Sequence, residues 1–338
     1  MPPMAADRGI AATWNPGSEG DGQRDEAWES PMDTHELEVS VVICTCARRD
    51  LAHACIASVV AQREVDRDQV EIVIVDNSPS GYFRDEAAGW ARRAPVAITY
   101  VHEPARNIAR ARNAGCRAAR GRFIAFIDDD ERAAPEWLAR LLLAAKTWPG
   151  DAVCGPVLPE FDGGKPPDWD PDGAHFRKVF DLPGGAALEV APTCNLLLRR
   201  GTCLLDPAPF DARYGHTGGS DTAFTYDLTR RGRRIVWCPD ALVHEFVPHD
   251  RMEMGFQLWR TFVQTQNFVR IQLQRDVPLR ALVRGGWLMA KGLALMLGAL
   301  PGVVASVFAT EDRVFGLRAP LFFGLGLALW PISVARYR

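Results

Sequence analysis

Arg122-Phe-Ile-Ala-Phe-Ile-Asp-Asp-Asp-Glu131 is an apolar run that stops abruptly in acids. A short apolar run of this length reads as a strand buried on both faces. A buried parallel strand with acids at its carboxyl end lies where an open α/β sheet places its ligand. Strand alternation puts Asp128 and Asp130 on one side and turns Asp129 away. Two carboxylates on one side repel unless a cation sits between them. Oxygen ligands of this kind suit Mg²⁺ or Mn²⁺ shared with a phosphate. The plainer reading is an acidic strand end opening the next helix, where Asp and Glu complement the helix dipole.

The pattern upstream repeats the theme. Val39–Cys44 and Val70–Val75 are two more buried strands, the second ending in Asp76-Asn77-Ser78. Between them, Asp50 is placed to cap a helix whose Leu51, Ile56, Val59 and Val60 form an apolar side. A helix around Phe83–Arg93, a strand at Val96–Val101 and a helix at Asn107–Arg120 follow, with Gly121 read as the helix terminator. Beyond the acids, Trp137, Leu138, Leu141, Leu142 and Ala145 make one buried helical stripe. Alternating strands and helices imply a mostly parallel sheet flanked by helices. No G-x-G-x-x-G follows the first strand and no G-x-x-x-x-G-K-[ST] occurs, which weakens dinucleotide oxidoreductases and P-loop NTPases.

Residues 159–175, full of Pro, Gly and Asp, read as a long surface loop. Short strands are expected at Thr193–Leu198, Arg234–Trp237 and Ala241–His244, with a helix from Thr222 to Arg231 after Gly218-Gly219-Ser220-Asp221. A long amphipathic helix follows at about 251–275, with Phe256, Trp259, Val263 and Val269 on its apolar side. Residues 1–37 have no apolar period and read as a mobile tail. The net charge of −3 gives no field for nucleic acid. Eight cysteines without a CxxC pair indicate a reduced, cytosolic chain body with no disulfide framework. No charged segment followed by an apolar core opens the chain, so no signal peptide is expected.

Trp287–Phe308 carries one charge, Lys291, and is long enough to span a bilayer; Leu321–Val334 is shorter and contains Pro331. Arg280, Arg284, Arg336 and Arg338 flank the pair. A hairpin at 285–338 with both ends in the cytosol is the expectation; a soluble helix pair or an interfacial one is the alternative. The organisation expected is thus a tail, a catalytic domain at 38–250, an amphipathic segment at 251–284 and the apolar hairpin.

From about Val39 to Val247 the ordered landmarks resemble glycosyltransferase family 2, whose catalytic domain has the GT-A fold. The first strand with Cys44-Thr45-Cys46-Ala-Arg48-Arg49 resembles its opening segment. Val75-Asp76-Asn77-Ser78 resembles its nucleoside-binding Asp, and Asn107-Ile-Ala-Arg-Ala-Arg112-Asn113-Ala-Gly115 its G-x-x-x-A-R-N-x-G helix start, with Asn107 in the Gly place. Asp128-Asp129-Asp130 is similar to the D-x-D metal motif, Thr193-Cys-Asn195 to the acceptor-side strand, and Gly218-Gly219-Ser220-Asp221 with Arg230 and Gly232 to the GGED…R…G segment.

The resemblance implies inverting, metal-dependent transfer of a sugar from a nucleoside diphosphate sugar to a hydroxyl of a lipid-linked or glycan acceptor. Thr45, Cys46, Arg48, Asp76, Asn107, Arg112 and Asp128 would bind the donor. Asp128 and Asp130, with His244 as a further ligand, would hold Mg²⁺ or Mn²⁺, a Lewis acid for the diphosphate. Asp221 would be the general base, against a plain helix cap. Asp76 has the alternative of an Asx turn, and Arg112 of pinning its helix through an acid. Asn195 and Arg260 would face the acceptor. Ser220 replaces the usual Glu. Gln257-Leu-Trp-Arg260-Thr261 has Thr261 where processive synthases carry Trp, which implies one sugar per event. These motifs resemble bacterial envelope and exopolysaccharide enzymes, placing the chain at the cytoplasmic face of the inner membrane. A nucleotidyltransferase would need an early phosphate-activating loop and has only Arg48 and Arg49; a D-x-D-x-[TV] phosphatase is opposed by Arg132. A non-catalytic nucleotide-binding scaffold is the remaining alternative.

Overall fold

The computed structural model describes residues 37–331. The expected tail, except Leu37, which opens the first strand, and the flanking Arg336 and Arg338 lie outside those residues. The chain runs β1 (Leu37–Thr45), α1 (Arg49–Val60), β2 (Val70–Asp76), α2 (Arg84–Arg93), β3 (Ala97–His102), α3 (Ile108–Ala118), β4 (Gly121–Asp128), β5 (Glu131–Ala133) and α4 (Trp137–Thr147). Then come β6 (Ala152–Cys154), β7 (Val157–Phe161), β8 (Ala187–Leu188), β9 (Asn195–Arg199), α5 (Arg200–Cys203), α6 (Ser220–Arg230), β10 (Ile235–Trp237) and β11 (Val243–Val247). Four helices close it: α7 (His249–Met252), α8 (Met254–Gln274), α9 (Pro278–Ala305) and α10 (Glu311–Ala328).

The main sheet has eight strands in the order β3-β2-β1-β4-β9-β6-β10-β8. β1 pairs in parallel with both β2 and β4, while β9 is antiparallel to β4 and β6. Alternation along β1 sends Val39, Val41 and Ile43 to one face, against α1, α2 and α4, and Val42 to the other, against α3 and α6. Apolar layers on both faces explain why these strands read as continuous hydrophobic runs. Gly115 lets α3 sit tight on the sheet, because a Cβ there would lie 2.4 Å from Val42 Cγ1. After β1 the chain winds outward through β2 and β3, then returns to place β4 on the other side of β1. The reversal falls between β1 and β4, and Cys44 pairs with Asp128 at their carboxyl ends. This is the ligand crevice of a doubly wound sheet.

Several local expectations change. Gly121 starts β4 and ends no helix; a Cβ there would meet Ser40 N at 2.5 Å, so the requirement is close backbone approach. Asp50 lies in the first turn of α1, whose N-cap position is Arg48 without a side-chain cap. Residues 159–175 form more than a surface loop: β7 joins β11 and β5 in a three-stranded sheet, and Trp169 and Phe176 are buried against Phe315 of α10. Along α8, Phe256 and Trp259 are exposed while Leu258, Phe262, Val263 and Val269 are buried. The helix is covered from two sides, by α6 and α10, so one apolar stripe does not describe it. All eight cysteines are free.

Candidate active site

The site is built at the reversal, from the ends of β1 and β4. Ala47 sits at φ 57°, a left-handed backbone for a residue with a Cβ. β4 ends at Asp128, so strand alternation stops there and Asp129 is not turned away. Its buried carboxylate accepts from Thr45 Oγ1 at 2.8 Å and from Arg48 Nη1 at 3.1 Å. Burial, with Asp130 and Asp128 nearby, pushes its carboxyl up to about 7 against the pull of Arg48. Asp130 Oδ2 accepts from Arg48 Nη1 at 2.8 Å and Arg251 Nη1 at 3.1 Å. Cys46 lies half-buried in the same turn.

Asp128 faces the cleft with 40 % of its side chain exposed. The packed surroundings, and then Asp130 and Glu245, raise its carboxyl above the usual range, while Arg112 opposes them. Arg112 is buried and links two motifs: Nη1 donates to Ser220 Oγ at 2.8 Å and Nη2 lies 3.9 Å from Asp128 Oδ1. Asp221 and Asp128 outweigh the burial cost and hold the guanidinium charged. Gly218 and Gly219, at φ 80° and 91°, swing the chain into α6 and leave Asp221 in its first turn. Asp221 Oδ1 accepts from Thr222 N at 2.8 Å. Asn267 of α8 holds this turn by donating to Thr217 O and Gly218 O. The residue spacing thus converges on one cleft holding Thr45, Arg48, Arg112, Asp128, Asp130 and Asp221.

Other candidates lie elsewhere or are closed. Asp76 has no exposed surface, and its carboxylate accepts from Ser78 N, Phe83 N and Tyr100 Oη. Burial, then Asp76, pushes the Tyr100 hydroxyl up to about 12, keeping it a donor. Asp76 thus anchors the turn, and three of the roughly four acceptor sites of its carboxylate are engaged within the fold. Asn107 caps α3 through Arg110 N and donates to Ala212 O. Asn195 is fully buried, accepting from Trp137 Nε1 and donating to Pro156 O and Ala241 O. His244 stands on the opposite face of β11 from Glu245, beside Glu160, whose carboxyl is lowered chiefly by Arg132. It points away from the acids of β4 because adjacent strand residues face opposite ways.

Glu245 is the site residue that reading missed, together with Lys178 and Arg251. Lys178 Nζ lies 2.5 Å from Glu245 Oε2 and 3.7 Å from Cys194 Sγ. Burial pulls the ammonium down, but the Cys194 sulfur and the Glu245 and Glu131 carboxylates outweigh it and hold Lys178 above its ordinary value. Against burial, Lys178, Arg260 and Arg251 hold Glu245 below its own. The charge of Arg260 on α8 is thus felt at Glu245. Lys178 has no motif to announce it; strand parity pairing Glu245 with the cleft was the one legible signal.

Ligand atoms of Asp128, Glu131 and Cys194 all lie within 4.8 Å of one another. Glu131 Oε2 accepts from Asp128 N, but Oε1 is buried with no hydrogen-bond partner. An orphaned buried carboxylate oxygen beside a second carboxylate fits a hard divalent cation. Burial raises both the Cys194 thiol and the Glu131 carboxyl well above their usual ranges, and a hard cation prefers the oxygens over the sulfur. Asp130 already serves two guanidiniums.

A doubly wound sheet with acids, cations and a helix-opening Asp at its reversal defines a nucleotide-sugar transferase of GT-A type. Residues 40–201 match the family described as Glycosyl transferase family 2. The chain is 32 % identical over 295 residues to the succinoglycan biosynthesis protein ExoM of Rhizobium meliloti, covering 87 % of this chain and 93 % of that one. It is 25 % identical to a glucosyl-dolichyl phosphate glucuronosyltransferase of Haloferax volcanii, over 68 % of this chain and 75 % of that one. Among solved structures, a mannosyltransferase of Pyrobaculum calidifontis in complex with GDP-Man and Mn²⁺ aligns with a TM-score of 0.60 at 19 % identity, covering 90 % and 92 % of the two chains. The chain belongs to glycosyl transferase family 2 and is an enzyme that transfers sugar from a nucleotide sugar.

Proposed function

We propose that the chain transfers a single sugar, with inversion, from a nucleoside diphosphate sugar to a hydroxyl of a lipid-linked or growing polysaccharide acceptor at the cytoplasmic face of a bacterial inner membrane. The observation that carries this is Arg112, which ties Ser220, next to Asp221, to Asp128 across the cleft. One guanidinium thus sets the distance between the proton-accepting acid and the donor-binding acid. The similarity to a succinoglycan biosynthesis protein and to a dolichyl-phosphate-linked transferase supports the acceptor class. Thr261, in place of Trp, supports one sugar per event.

In this reading the acceptor oxygen attacks the anomeric carbon from the face opposite the diphosphate. Asp221 takes the hydroxyl proton as the new C–O bond forms and the bond to the diphosphate oxygen breaks, so one displacement inverts the centre. Arg112 and Lys178, charged and fixed before substrate arrives, counter the leaving charge at no reorganisation cost. Arg48 and Arg251 keep Asp130 and the turn after β4 rigid. Asp128 and Glu131 would hold the divalent ion, which supplies Lewis-acid neutralisation of the diphosphate. Asp76, Asn107 and Asn195 shape the floor through the backbone groups they fasten.

Calorimetric titration of UDP, dTDP and GDP into full-length protein, with and without Mn²⁺, tests the donor half. Metal-dependent binding of one nucleotide, lost in Asp128→Ala, is expected; no binding by folded protein overturns the reading. Asp221→Asn should retain nucleotide binding while turnover falls by about 10²- to 10⁴-fold.

A further inference from the structure

Among the described residues, α9 is the one helix long and apolar enough to cross a membrane, with a mean hydropathy of 1.8. We infer that it does not cross: it lies flat on an anionic bilayer, as a docking surface that holds the catalytic cleft at the lipid headgroups. The reason is where its two ends are tied. At its start, Arg284 donates to Gln272 Oε1 and Asp276 Oδ2 at the end of α8. Just past its far end, Ser306 Oγ accepts from Arg318 of α10. α10 is itself fastened to the catalytic body along its length. Phe315 stacks on Trp169 at 4.8 Å, and Gly326 lies so close to α8 that a Cβ there would be 2.8 Å from Phe262 O.

A helix of 28 residues is about 42 Å long. A span would separate its ends by about 30 Å of hydrocarbon and pull the second tie, with Glu311, Asp312, Arg313 and Arg318, across the bilayer. α10 does not serve as the return span, since its charges reach Arg318 and the helix runs only from there to Ala328, short of the hydrocarbon thickness. α9 packs on α10 through small residues: a Cβ at Gly292 would lie 2.6 Å from Gly324 O. Its opposite side is apolar and open, with Leu282 at 74 % and Leu297 at 69 % exposure together with Trp287, Leu293 and Val304, and Phe308 just past its end is 88 % exposed.

Charge selects the occupant. From Val277 to Thr310 the charged residues are Arg280, Arg284 and Lys291, all basic. Lys291 Nζ lies 5.2 Å from the centre of the Trp287 ring. A bulky apolar face with basic residues and an exposed Trp fits the interface of an anionic bilayer. The same α10 that carries α9 stacks on the 159–176 segment, two residues before Lys178, so bilayer and cleft share one wall. The surface extends the proposed membrane-side function, but flotation is read with neither donor nor acceptor present, so it can fail while sugar transfer stands.

The test uses full-length protein and preformed phosphatidylglycerol/phosphatidylcholine vesicles. Wild type should float with them, and less with phosphatidylcholine alone. The triple variant Leu282→Glu, Leu293→Glu, Leu297→Glu should lose more than about 100-fold in partitioning, with its thermal midpoint and nucleotide binding retained. Asp312→Cys, on protein bound to the vesicle exterior, should react with a membrane-impermeant maleimide added outside. Protection of that cysteine until detergent is added overturns the flat placement. Absence of flotation, or a wild-type dimer that the triple variant dissociates, overturns the bilayer in favour of a second copy.

Discussion

The carboxyl ends of β2 and β4 stand two strands apart in one sheet and both finish in Asp, yet they do opposite work. At Asp76 three donors converge on one carboxylate from which solvent is excluded. At Asp128 the carboxylate is open, crowded by acids and faced by a buried cation. The first arrangement stabilises the fold. The second leaves a carboxylate whose charge the fold only partly offsets. Identical residues at equivalent strand ends therefore serve structure or chemistry according to how many local donors they meet.

The contrast is sharpest under substitution. Asp128→Ala should lower kcat/KM by about 10³-fold or more and leave chemical-denaturation stability unchanged or higher, because it removes a carboxylate from a crowded cleft. Asp76→Ala should do the reverse. Leaving the Ser78 and Phe83 amides and the Tyr100 hydroxyl without their acceptor should cost about 3 kcal/mol of stability, with little change in donor KM for the molecules that remain folded. If Asp76→Ala instead raises KM at full stability, the two strand ends are alike after all.

Smaller effects probe the surroundings. Asn195→Leu should cost about 2 kcal/mol, since Trp137 Nε1 and two carbonyls lose their partner, again measured by denaturation. The smallest effect concerns His175, held by Gln257 and Phe315. Burial pushes its imidazole down to about 4, whereas an unfolded chain protonates it near pH 6.5. Between those values the unfolded state binds more protons, so this contribution to stability is complete above pH 6.5 and is lost as pH falls toward 4. His175→Phe should flatten the melting temperature over that window.

Much of the sheet was legible because its inner strands are buried on both faces, and short apolar runs bounded by turns and rich in β-branched residues favour strands over helices. The helical stripe from Trp137 to Ala145 was legible from its period. The site was legible where motif spacing carries it: Asp128, Arg112 and Asp221 lie far apart in the chain and meet at the sheet reversal. Lys178 and Arg251 were not, because a lone basic residue in a loop or a short helix has no period to betray it. The Asx-turn alternative for Asp76 is seen in the bond from Ser78 N, but the amide of Phe83 and the hydroxyl of Tyr100 that also reach it were not legible, because a motif shows which residue ends a strand and not which donors return to it. The C-terminal helical hairpin was legible from its two apolar runs, but its ties at Gln272, Ser306 and Trp169 were not, because hydropathy measures composition and these are contacts between separate elements.

Order of elements, the acid-tipped strand and the apolar length of α9 were set by local pattern, since periodicity and hydropathy are properties of neighbouring residues. The closure of Asp76, the pairing of Lys178 with Glu245 and the tethering of both ends of α9 depend on residues distant in the chain. Such contacts form only when the sheet brings them together, and only then does an acid become an anchor or a site.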